Sequence, residues 1–156
     1  MSHSNTTAES ARPPVKPVDL TAARQMLPLV QAIVRDIVGN KRHLDALSAE
    51  QATLDSFRRE LTWVSRSRRY AVTEEVAQVE SSLHTAVNEL AALGVALVDA
   101  DAGAVDFPTK INDKPAAFSW QLGDEGVSYW RYNGENQRRP IPADWSGTPL
   151  RVRGHR

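Results

Sequence analysis

The stretch VTEEVAQVESSLHTAVNELAAL, residues 72–93, constrains the fold more than any other. Apolar residues fall at Val72, Val76, Val79, Leu83, Ala86, Leu90 and Leu93, with spacings that alternate between four and three. That heptad rhythm lines them along one stripe of a long helix, and such a stripe needs a second helix to cover it. Thr73 with Glu74 and Glu75 offers a start, a cap followed by acids near the positive end of the helix dipole. Gly94 stands where a helix C-cap glycine is wanted.

The preceding chain supplies the partner. Asp19 can accept a first-turn N–H as an N-cap, and apolar positions follow at Leu20, Ala23, Leu27, Val30, Val34 and Ile37. Pro28 removes a helical hydrogen bond and Gly39 weakens the helix by roughly 1 kcal/mol relative to Ala, but the seam continues on both sides. It resumes at Leu47, Leu54, Phe57, Leu61 and Val64 in a phase that one helix over about 20–66 would give. Ser48 and Gln51 have capping-box spacing, so a break near Ser48 stays open as an alternative. With a turn near 67–71, antiparallel pairing sets Leu83 beside about residue 55. Residues 20–44 would then project by roughly 37 Å at about 1.5 Å per residue, and their apolar face must be covered by the C-terminal third, by a second copy, or by both.

After Gly94 short apolar runs alternate with turn-forming DADAG, IND-K and GDEG, the pattern of a strand meander. Two or three antiparallel strands are expected, near 104–111, 115–122 and 127–132. Seven of the ten aromatics lie beyond residue 104, enough bulk to cover the long helix. The fold class is therefore α+β: a long antiparallel helical hairpin, about 20–66 and 72–93, with a small C-terminal antiparallel sheet packed on it. A single domain is expected over 18–145, flanked by a disordered tail over 1–17 and a flexible basic tail over 146–156. Beyond Asn133, Pro140, Pro142 and Pro149 suggest an extended surface path.

Charge and composition narrow the function classes. The 19 basic residues balance the 19 acidic ones, so no global field draws the chain to nucleic acid or anionic lipid. The absence of cysteine excludes disulfides, thiolate metal sites and a cysteine nucleophile. With no secretory leader at the N-terminus and no run near the ~20 apolar residues of a membrane span, a soluble cytoplasmic protein is expected. His43 and His84 do not meet in the expected pairing, and Asp99, Asp101 and Gly103 lack the remaining ligands of a calcium loop. No phosphate loop, nucleophile elbow or zincin motif is present, so no catalytic, cofactor or metal residues are assigned.

Two constellations remain. Trp120, Glu125, Trp130, Arg131, Arg138 and Arg139 combine the side chains most enriched at binding hot spots. They read either as sheet core with flanking arginines, one paired with Glu125, or as a partner or ligand surface. Arg58, Arg59, Arg66, Arg68 and Arg69 stand against Glu60 alone at the hairpin tip. They read as solvated charge near a helix C-terminus or as a phosphate-binding cluster.

From DLTAARQMLPLV, through ELAALGVALVDADAGAVDFP, to FSWQLGDEGVSYW and RRPIP, the chain resembles the bacterial family catalogued as domain of unknown function 2203. The resemblance covers most of residues 18–142 and implies a helical hairpin with a small sheet; it brings no activity. Where that family commonly has histidine after the second tryptophan, this chain has Arg131.

The leading expectation is a non-enzymatic interaction or adaptor protein, self-associating through helix faces, with a dimer the commonest closed form and a further protein partner unidentified. Two alternatives stand beside it: a nucleic-acid or ribosome-associated factor using the basic tip, and a ligand binder or enzyme at the tryptophan–arginine surface.

Overall fold

In a computed structural model the described residues are 17–57 and 59–145. The expectations for the two tails fall outside them, apart from Pro17. Helix α1 spans Leu20–Ser56 and helix α2 spans Trp63–Ala92, followed by strands β1 (Ala96–Asp99), β2 (Ala104–Ile111), β3 (Lys114–Gln121), β4 (Tyr129–Tyr132) and β5 (Arg139–Pro140). The strands form one antiparallel sheet in the order β1-β2-β3-β4-β5. Among the described residues no helix is long and apolar enough to cross a membrane.

Asp19 caps α1, its Oδ1 accepting from the Ala22 amide at 2.7 Å. The helix runs unbroken through Pro28, Gly39 and Ser48. It stops sooner than its seam suggests, however. The Thr53 hydroxyl donates to the Ala49 carbonyl at 3.1 Å, and that of Ser56 to the Thr53 carbonyl at 2.7 Å. Such local bonds compete with the backbone ladder. Thr62 then caps a new helix by accepting from the Ser65 amide at 3.2 Å. Thr73, expected to open α2, instead lies inside it and donates to the Arg69 carbonyl. The turn is therefore at residues 57–62 rather than 67–71, and the expected boundaries of 20–66 and 72–93 are corrected accordingly.

That shift removes most of the overhang. Arg68 pairs with Glu50, Arg69 with Asp55, and Gln51 with Thr73 across the hairpin. Extended along the helices, this register brings Leu93 opposite about residue 28, so α1 projects by only about 12 Å at about 1.5 Å per residue. The sheet covers the projecting part within one chain. Leu20, Val30, Val34, Ile37 and Leu90 share a single buried cluster with Phe107, Ile111, Phe118 and Trp120. A smaller cluster of Leu47, Val72 and Val79 closes the distal half of the hairpin.

At the end of α2 the Gly94 amide donates to the Ala91 carbonyl and the Val95 amide to the Leu90 carbonyl, with Gly94 at φ +79°. This is a Schellman ending, and the accompanying Leu90 and Val95 side chains are both buried. It turns the chain straight into β1. Asn112 and Asp113, both at positive φ, make the two-residue turn between β2 and β3. The DADAG turn is fastened by Asp99, whose Oδ1 accepts from the Asp101 and Ala102 amides. The expected meander of two or three strands is thus a five-stranded one. Its added edges are short, four residues in β1 and two in β5. The segment after Asn133 is not simply extended over the surface, because Trp145 folds back and buries itself against Trp130 at a ring separation of 5.3 Å.

Candidate functional site

Strand alternation sends one set of side chains toward the helices and the other to an uncovered face. Register places Phe107, Phe118 and Trp130 side by side across β2, β3 and β4, with Val105 beside Trp120. All five are buried, Trp120 to 1% exposure and Trp130 to 8%. Both tryptophans of the sequence constellation therefore belong to the core. The indole Nε1 of Trp120 has no hydrogen-bond partner there.

The charged members of that constellation brace the outer strands. Arg138 donates to Asp124 at 2.6 Å and lies 4.2 Å from the Tyr129 ring centroid. Arg139 pairs with Glu135 at 2.7 Å and sits over Trp130 at 5.0 Å. Glu125 is exposed and is not the partner of either; Asp124 and Glu135 take that role.

Arg131 lies on the uncovered face. Its guanidinium reaches over β3 to hold Asp106 of β2 on the same face and donates to the Glu135 carbonyl at 2.9 Å. The pair floors a shallow concavity of about 620 Å³ walled by Pro17, Ala96, Pro108, Pro115 and Ala117. Burial pushes the Asp106 carboxyl above its ordinary value, with Arg131 pulling it partway back. Its second oxygen, Oδ1, is buried without a partner. Arg131 and Asp106 thus neutralise each other, which leaves the concavity small-residue walls, a satisfied guanidinium and, at its border, the Lys110 side chain.

The hairpin tip differs from its sequence reading. Arg68 is bound by Glu50 and Glu75, and Arg69 by Asp55. These acids come from α1 and from further along α2, so a count of charges between residues 58 and 70 does not see them. Among the described residues Arg59 and Arg66 make no ion pair, and Arg58 lies outside the described set. His43 and His84 are exposed on the two helices. Among the described residues no group of three or more His, Asp or Glu side chains is placed to hold a metal ion.

What the tip gains is apolar surface. Trp63 is 78% exposed, Tyr70 and Val64 71% each, and Phe57 58%. Trp63 and Tyr70 are seven residues apart on α2, with Val72 and Val79 buried on its opposite side. Phe57 also borders a groove of about 770 Å³ with Asp55, Ser56, Arg59 and Glu60. Sequence reasoning missed this patch because Phe57, Leu61 and Val64 keep the phase of the seam. The signal that was available is the off-seam pair Trp63 and Tyr70, one heptad apart.

The family model described as an uncharacterized conserved protein (DUF2203) matches residues 17–141. No curated protein and no solved structure matches the chain.

Proposed function

The chain belongs to this uncharacterised family, and we propose that it is a non-catalytic, cytoplasmic interaction protein whose docking surface is the hairpin tip. One observation carries the reading: Trp63, the largest side chain available, is left 78% in water at the end of a fold that buries its three other tryptophans. Burying an aromatic side chain contributes roughly 1.5–3 kcal/mol, so evolutionarily neutral packing has no use for one in solvent, whereas a binding hot spot does. Tyr70 stands two turns on along the same face of α2, and Val64 and Phe57 are further exposed apolar side chains of the tip. Among the described residues Arg59 and Arg66 make no ion pair, which leaves two cations near it.

A phosphate-binding tip has weaker support. Two of its five arginines are committed to carboxylates, and the described ones that remain, Arg59 and Arg66, stand among exposed apolar side chains of the tip. A pocket at the tryptophan–arginine cluster likewise lacks its tryptophans, which are core.

Oxidative footprinting by hydroxyl radicals tests the reading. Trp63 and Tyr70 should oxidise readily in the dilute purified chain and be protected in intact cells. Equal oxidation in both settings would leave the tip without a partner and overturn the reading.

A further inference from the structure

We infer that the uncovered face of the sheet holds a second site, independent of the tip, which takes a small organic anion: an apolar body ending in a carboxylate or phosphate. The site is the concavity over β2, β3 and β4, and its shape follows from where β1 begins. Ala96 opens β1 and pairs with Asp106. Past Asp106, strand β2 runs on beyond β1, and what meets that edge is the Val18 amide, which donates to the Pro108 carbonyl at 2.7 Å. In an antiparallel ladder the N–H and C=O of one residue point the same way. The N–H that Pro108 lacks would therefore face this open edge, where no ladder bond is lost. The chain enters along the edge, and Pro17 and Ala96 become one wall of the hollow.

The floor is apolar and low. Pro108, Ala117 and Arg131 lie in one row across the three strands, with Lys110 and Pro115 in the row on one side and Asp106 and Ser119 in the row on the other. By strand alternation these residues share the uncovered face. Two proline rings and a methyl group in the middle leave a hollow of about 620 Å³, within the ~300–1,000 Å³ of ligand pockets. Longer side chains stand at its margins. The Asn133 amide donates to the Pro115 carbonyl at 3.1 Å, which carries the pairing of β4 one residue further and brings Asn133 to the margin as well.

Those margins offer N–H groups rather than oxygens. Of five guanidinium donors, Arg131 gives one to Asp106 and one to the Glu135 carbonyl among the described residues. Its charge is met while the rest of its fork can still donate. The Asp106 oxygens are withdrawn, Oδ2 held by Arg131 and Oδ1 buried. Lys110 is exposed and among the described residues makes no ion pair. It stands two strands from Arg131, about 10 Å at ~4.8 Å per strand, and one row along, so an anionic group between them is within the combined reach of the two long side chains. The charged lining residues are Asp106, Lys110 and Arg131, which leaves one unbalanced positive charge over an apolar floor. A cation would be repelled there and a neutral ligand would leave Lys110 unused, whereas a carboxylate or phosphate accepts from both side chains.

Amide ¹H–¹⁵N NMR titration of the full chain at constant ionic strength tests this. The probes are benzoate and phenyl phosphate, each taken to about 10 mM, well past a dissociation constant of about 1 mM. Benzamidine, the same ring carrying a cation, is the control. The anions should shift the amides of Lys110, Ala117, Arg131 and Asn133 and leave those of Trp63 and Tyr70 in place; benzamidine should shift none of them. A response to one anion alone supports the site and names its preferred group. Lys110→Glu, a change at an exposed margin, should weaken binding at least tenfold, and Lys110→Arg should preserve it. No shift at this face with either anion, equal shifts with benzamidine, or an affinity indifferent to Lys110→Glu overturns the inference.

Discussion

Arg68 clasps Glu50 across the hairpin, its Nε at 2.6 Å and its Nη2 at 3.0 Å from the two carboxylate oxygens. The fork fixes the register of α2 on α1 and removes one cation from the tip at the same time. Glu75, two turns further along the same face of α2, adds a second carboxylate at 3.4 Å. A basic cluster in sequence thereby becomes a cross-braced hinge between two helices.

Salt dependence measures what that bracing leaves. Five free arginines contacting duplex DNA would give a log–log slope near −4.5, at about −0.9 per phosphate. With Arg68 and Arg69 committed, any non-specific DNA binding should have a slope no steeper than about −3. Filter-binding or anisotropy titrations over a range of salt read it directly. A slope near −4.5 that flattens on Arg68→Gln would mean that the guanidinium leaves Glu50 for phosphate.

The two kinds of tryptophan should separate cleanly on denaturation. Trp120→Ala opens the middle of the core and should cost about 3–5 kcal/mol. Trp63→Ala should change monomer stability by no more than about 0.5 kcal/mol, as surface substitutions do. Urea titrations of each variant check this. Equal losses would place Trp63 in the core and remove the docking surface.

Gly103 and Gly39 make a second contrast. Gly103 sits at φ +67°, and a Cβ there would come within 2.8 Å of Leu122 Cγ and 3.0 Å of Val34 Cγ1. Gly103→Ala combines backbone strain with overpacking and should cost about 2 kcal/mol or more. Gly39 lies inside α1, and a methyl added there would meet nothing within 4 Å, so Gly39→Ala should stabilise by about 1 kcal/mol. Thermal or urea unfolding showing the same sign for both would contradict these placements.

Two carboxyls should titrate in opposite directions. Burial raises Asp106 despite Arg131, and the hydrogen bond from Arg68 lowers Glu50. Between its unfolded value of about 3.9 and its raised folded value, Asp106 holds a proton in the native state that the unfolded chain has lost. Its contribution to stability therefore falls as pH rises through that window. Glu50 behaves oppositely: its contribution is present above about 4.3 and is lost as pH falls through the lowered folded value. Carboxyl-detected NMR titration should find Asp106 above its ordinary midpoint and Glu50 below. An Asp106 midpoint under about 3.9 would show that Arg131 outweighs burial.

Much of this fold was readable from periodicity. The seam from Val72 to Leu93 is buried or half-buried at every member, and the capping Asp19 and terminating Gly94 do what their chemistry suggests. The β2 boundaries of 104–111 follow from alternation between turn-forming segments. The hairpin turn was not readable. Phe57, Leu61 and Val64 continue the heptad phase past the true end of α1, and Thr62 carries no reciprocal Glu or Gln three residues on, since Ser65 stands there. Strands as short as β1 and β5 contain too few alternations to register a period. The chemistry of the tip was hidden for the same reason. Glu50 and Asp55 oppose Arg68 and Arg69 only once the turn is correctly placed.

Iodide quenching of tryptophan emission in the full chain reads the tip itself. Trp63 is the exposed member of four tryptophans, the others being Trp120, Trp130 and Trp145. In dilute solution the quenchable emission should belong to Trp63 and vanish in Trp63→Phe. Quenchable emission that survives Trp63→Phe would contradict a tip whose indole is open to solvent.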